Sequence, residues 1–115
     1  MKPEFKEKPR EFEVQGVKIK DFGKLTLDKH EMISLVSASG KECDVTAMDW
    51  GFYLAPSLNA RLRTQGFKTA LVQNPLGRLF LNAVEVEKMQ LFQDYLTEQD
   101  SKILCWLDDW ETPAS

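Results

Sequence analysis

Apolar and polar positions alternate in short runs over most of this chain and change period near its end. In "HEMISLVS" Met32, Ser34 and Val36 face one way and Ile33, Leu35 and Ser37 the other. "ECDVTAMD" returns with Cys43, Val45 and Ala47 against Asp44, Thr46 and Met48, and Gly40 in "ASGK" supplies the turn. This period of two is that of a pleated strand, so the pair predicts a β-hairpin. A second hairpin is predicted by "FKTALVQ", "NPLG" and "RLFLNAVE". Asn74, Pro75 and Gly77 there occupy the first, second and fourth positions of a type I turn.

From about Val86 the period becomes 3.6. Met89, Phe92 and Leu96 form one stripe with Tyr95 beside it, while Glu87, Lys88, Asp94 and Glu98 fall on the polar side. An amphipathic helix over about 86–98 follows. "KILCWL" is a continuous apolar run that predicts a central strand buried on both faces. "GVKIKDF" and "GKLTLD" predict two short edge strands, each opened by a glycine. Residues 1–14, with Pro3 and Pro9 among alternating Lys and Glu, predict a loosely held arm anchored by Phe5 or Phe12. Residues 109–115 form an acidic tail, with Trp110 between Asp109 and Glu111. The sum is an α+β fold over 15–108: one domain, a mainly antiparallel sheet of two hairpins with edge and closing strands, and a helix across it.

Composition narrows this picture without changing it. At 115 residues, 43% hydrophobic and 29% charged, the chain suits one soluble globular domain that buries roughly two-thirds of its unfolded surface. A net charge of −3 argues against electrostatic attraction of the whole protein to nucleic acid or a membrane surface. No stretch approaches the ~20 apolar residues that span a bilayer, and "MKPEFKEKPREFE" has no leader-like apolar core, so the expected address is cytoplasmic. Cys43 and Cys105 read as thiols of the core.

Charge is unevenly placed. Residues 59–84 carry Arg61, Arg63, Lys68 and Arg78 and no acid, whereas residues 85–115 carry two bases and eight acids. Just before the basic block, "DWGFYLAPSLNARLRTQGFK" sets Trp50, Phe52 and Tyr53 around Gly51. Pro56 turns the chain, Ser57 is a helix N-cap and Gly66 a helix stop, which predicts a short helix over about 57–65 held down by Leu58 and Leu62. Its N–H groups, the arginine forks and the aromatic wall would suit an anion. The competing explanation is structural: aromatics that are core or interface residues at a strand end, and arginines neutralised by the acidic C-terminal third, for example Glu87, Asp94 or Glu98.

No reaction is written in these residues. There is no GxxxxGK[ST] or GxGxxG, one histidine and two distant cysteines do not make a zinc site, and Asp108 and Asp109 are expected to be solvated. No metal or other cofactor is implied. The expectation is a non-catalytic binding module using Trp50, Tyr53, Asn59, Arg61, Arg63, Lys68 and Arg78. Its partner would be an anionic small molecule, an acidic protein surface, or a second copy through complementary charge blocks. The alternative is a small enzyme assembled near Tyr53, Asp49, His30 and Arg61.

Overall fold

The structure, a computed structural model, describes residues 1–109. It is a mixed α+β fold with three antiparallel sheets among the described residues. In chain order the elements are β1 Lys2–Val14, β2 Val17–Thr26, β3 Met32–Val36, β4 Glu42–Met48, β5 Gly51–Leu54, α1 Arg61–Thr64, β6 Phe67–Gln73, β7 Leu79–Glu85, α2 Met89–Gln99 and β8 Lys102–Trp106. A 3-10 turn at Val86–Lys88 leads into α2, and another at Leu107–Asp109 follows β8. None of the described helices is long and apolar enough to cross a membrane. The chain forms two compact units, Met1–Leu35 with Asp44–Ala55, and Val36–Cys43 with the chain from Pro56 onward.

In the first unit, β1 and β2 form a two-stranded ribbon closed by Gln15 and Gly16. Both turn residues have positive φ, 48° and 84°, as a type I′ turn requires. Residues 2–14 are therefore a strand and not a loose arm. A two-stranded sheet has only edge strands, where the missing proline N–H is tolerated. The register also sets Glu11 against Lys20 and Glu13 against Lys18 on one face, and opposite charges across a ladder stabilise it. The other face carries Phe12 against Ile19 and Val14 against Val17. Arg10 stacks 4.8 Å above the Phe12 ring and pairs with Asp21 at 3.2 Å.

The two edge strands expected in "GVKIKDF" and "GKLTLD" are one strand, Val17–Thr26, with Gly23 inside it at φ +125°. A Cβ at Gly23 would lie 2.1 Å from the Glu4 carbonyl oxygen. Gly23→Ala is thus expected to part β1 from β2 locally and cost more than about 1 kcal/mol. Hydrogen exchange checks it: amides near Glu4 and Phe5 should lose protection, while those of β6 keep theirs.

In the second unit the strand order is β7-β6-β8. β6 is central, with Phe67, Thr69, Ala70 and Val72 buried. β8, expected in the middle and buried on both faces, is instead an edge strand, with Lys102 and Leu104 exposed. α2 lies on one face of this sheet. Leu96 packs with Ala70 and Val72, and Phe92, Ile103 and Trp106 close around them. That is the expected stripe on the expected face, and Tyr95 beside it stays exposed.

α2 ends through a left-handed residue, Asp100 at φ 52°. The Ser101 N–H donates to the Leu96 carbonyl (2.9 Å) and the Asp100 N–H to that of Thr97 (3.2 Å), the Schellman pattern with aspartate in the usual glycine position. The β6–β7 turn is as expected. The Gly77 N–H reaches the Asn74 carbonyl at 2.9 Å, and Asn74 Oδ1 accepts from the N–H groups of Leu76 and Arg78.

Candidate interaction site

The aromatic segment becomes strand β5, paired to β4 through Val45–Leu54, Thr46–Tyr53 and Ala47–Phe52. Trp50 stands in the turn before it. Of the structural explanation's two places for these aromatics, the core is excluded: Trp50 is 68% exposed, Phe52 67%, Tyr53 49% and Leu54 49%. β5 is the last strand of its sheet, order β3-β4-β5. It has four residues, with β4 on one side and no second neighbouring strand among the described residues. Residues 50–60 contain no charge, so the patch is apolar along its length.

The helix that follows is shorter than the 57–65 expected. α1 covers Arg61–Thr64, with Leu62 buried beneath it and Leu58 half-buried. The N-cap of α1 is Ala60, without a side-chain cap, and not the expected Ser57, which holds the turn before it. The Ser57 hydroxyl accepts from the Arg61 N–H (2.9 Å), and its carbonyl from those of Leu62 (2.9 Å) and Ala60 (3.3 Å). Those N–H groups are thereby occupied, and they are the groups an anion at the helix start would need.

Arg63 and Lys68 are drawn to one place, Asp108. Its side chain is 0% exposed, contrary to the solvated position expected. The Asp108 carboxylate accepts from the Thr69 N–H (3.1 Å) and from Arg63 Nη2 (3.3 Å), with Lys68 Nζ at 3.6 Å. Asp109 takes Arg63 at 3.0 Å and Lys68 at 2.8 Å. Lys68 Nζ also lies 5.1 Å from the Trp106 ring centre, a cation–π contact. Burial pushes the Asp108 carboxyl up. The Thr69 and Asp108 N–H groups and the charges of Lys68 and Arg63 more than offset this, leaving it below the usual carboxylate range. Lys68 is held above the usual lysine value, chiefly by its hydrogen bond to Asp109. Arg63 is thus neutralised by the acidic C-terminal third, as the structural explanation expects, though through Asp108 and Asp109 and not through Glu87, Asp94 or Glu98.

Of the other candidates, Asn59, Arg61 and Arg78 are exposed. Trp50 and Tyr53 belong to the first unit, and Asn59, Arg61, Arg63, Lys68 and Arg78 to the second. His30 is exposed in a turn at φ 69°, its N–H bonded to the Ala47 carbonyl. Asp49 pairs with Lys29 at 3.7 Å. No hydrogen bond joins His30, Asp49 and Tyr53 among the described residues. Cys43 and Cys105 are half-buried and form no disulfide. Trp110 lies outside the described residues.

A cavity of about 390 Å³ opens between β7 and α2, walled by Val84, Leu91, Phe92 and Tyr95 with Asn82 and Lys88 at its margin. The Lys88 ammonium there is engaged by Glu85 at 3.3 Å. Among the described residues no group of three or more His, Cys, Asp or Glu is arranged to hold a metal ion. No protein-family model matches this chain, and no characterised protein or solved structure shows significant similarity to it.

Proposed function

We propose that this protein is a non-catalytic interaction module whose working surface is the aromatic edge strand β5, and that its ligand is another protein. The observation that carries the reading is the exposure of Trp50, Phe52, Tyr53 and Leu54 along one uncharged edge. Aromatic side chains are enriched at protein interfaces, because each supplies a large apolar contact at low conformational cost. An anionic ligand or acidic partner draws on Arg63 and Lys68, which Asp108 and Asp109 already engage, so the aromatic edge is the stronger basis. Neither cysteine is in a disulfide, which suits a reducing compartment such as the cytoplasm.

Affinity capture with wild-type protein beside Phe52→Lys tests this. A protein, including another copy of the chain, should be retained by the wild type and lost by the variant. The same difference should then be reproduced with the purified partner by calorimetry. If wild type and variant retain the same proteins, while organic anions or phosphates raise the wild-type melting temperature, the anion-binding reading replaces this one.

A further inference from the structure

The backbone of β5 identifies a partner for this surface. The Ala55 N–H donates to the Asp44 carbonyl at 3.0 Å, so residues 44 and 55 are a hydrogen-bonded pair of the β4–β5 ladder. Such pairs alternate along an antiparallel ladder. Tyr53, opposite Thr46, is therefore the next residue turned toward β4. Phe52 and Leu54 turn their N–H and C=O groups the other way, toward the open edge. Two donors and two acceptors, centred on Tyr53, face outward with no strand to receive them in the described sheet.

Resting on the interaction reading above, we propose that the partner is a second copy of this chain. Two β5 strands pair antiparallel about a two-fold axis at Tyr53. Phe52 of each then lies opposite Leu54 of the other, and all four outward N–H groups and carbonyls in the two copies' Phe52 and Leu54 find partners. The two three-stranded sheets become one six-stranded sheet, β3-β4-β5-β5-β4-β3. Tyr53 faces its own copy at a pair without hydrogen bonds, where side chains approach most closely.

Two observations favour a second copy over a foreign strand. Residues 50–60 carry no charge, so self-pairing meets no like-charge repulsion, and a charged peptide finds no counter-charge along the strand. The chain guards another of its edges in the usual manner, with Pro3, Pro9, Lys2, Lys6 and Lys8 on β1, but puts neither lysine nor proline in β5. Each exposed aromatic leaves on the order of 100 Å² outside, so two copies join roughly 600–800 Å² before backbone and flanking residues are added. The side chains alone fall short of the roughly 1,000 Å² that a specific interface needs, so the paired backbones and flanking residues must supply the rest, as suits a weak and reversible dimer.

Sedimentation of the full chain over a wide concentration range is the test. The wild type should pass from monomer to dimer. Tyr53→Lys and Tyr53→Glu should each be folded by circular dichroism and dissociate at least tenfold more readily. Mixed together they should form a heterodimer, because residue 53 then opposes its opposite charge. Leu35→Lys, on β3 at the far edge of the same sheet, should dimerise like the wild type. A wild type that stays monomeric at all concentrations overturns the proposal. So does a dimer untouched by the Tyr53 variants, a mixture that fails to associate, or loss of the dimer in Leu35→Lys alone. A monomer that still captures a different protein through Phe52 would overturn this inference and leave the interaction module standing.

Discussion

Asp108→Ala is expected to destabilise the protein by about 3 kcal/mol and to lower its melting temperature by roughly 12 °C. The carboxylate is fully buried and accepts the Thr69 N–H of the central strand. Truncation therefore leaves a buried donor without a partner, and Arg63 and Lys68 lose one of their two acids. Asp108→Asn should cost about half as much, since an amide oxygen can still accept from Thr69. What it loses is the attraction to Arg63, half-exposed, and to Lys68, more than a quarter exposed, where solvent weakens charge pairing. The pH dependence has a definite sign. Asp108 titrates below its ordinary value in the folded protein, so the unfolded chain binds its proton first as pH falls. Its contribution is complete above about pH 4 and is lost as pH falls through the lower folded value. Urea midpoints between pH 7 and pH 3 should fall less steeply for Asp108→Asn than for the wild type. Equal slopes would show that this carboxylate does not anchor the C-terminal turn.

Leu96→Ala should be comparably damaging, at about 3 kcal/mol. The buried cluster is small. Ala70 and Val72 come from β6, and Leu96 is the buried residue by which α2 joins them, with Phe92, Ile103 and Trp106 partly buried around it. Truncation removes apolar burial and leaves a cavity that the short side chains of Ala70 and Val72 cannot fill. Urea denaturation would report a lower midpoint. A loss below about 1 kcal/mol would mean that the half-buried residues hold α2 without Leu96.

The elements legible in the sequence are those whose evidence is local. Asn74, Pro75 and Gly77 specify a turn within four residues, and Met89, Phe92 and Leu96 mark a helix face within two turns. β1 was hidden because its support is across the ribbon: Glu11 and Glu13 look like solvated charge until the register places Lys20 and Lys18 opposite. The place of β8 was misread because an apolar run resembles a central strand. "KILCWL" is such a run, yet it lies at an edge. The central strand β6 carries polar Lys68 and Thr69, which Asp109, Asp108 and the Trp106 ring accommodate.

The candidate site was half legible for the same reason. "WGFY" names its residue types, but burial depends on how many neighbours the strand acquires, and β5 has one. The Asp108 cluster joins groups 39 and 45 residues apart. The charge blocks announced a basic centre and an acidic end, and nothing in their spacing identified which acids would meet which bases.

The order β7-β6-β8 has a consequence in time. β6 and β7 are joined by the short Asn74–Gly77 turn, and hairpins of that kind form within microseconds. β8 reaches β6 only after α2 has been traversed, so its pairing closes a much longer loop and carries more entropy. The edge strand and the Asp108 turn behind it are therefore the last part of this sheet to settle and the first to leave. Most of the stability lost in Asp108→Ala is expected to emerge as faster unfolding, with the refolding rate little changed.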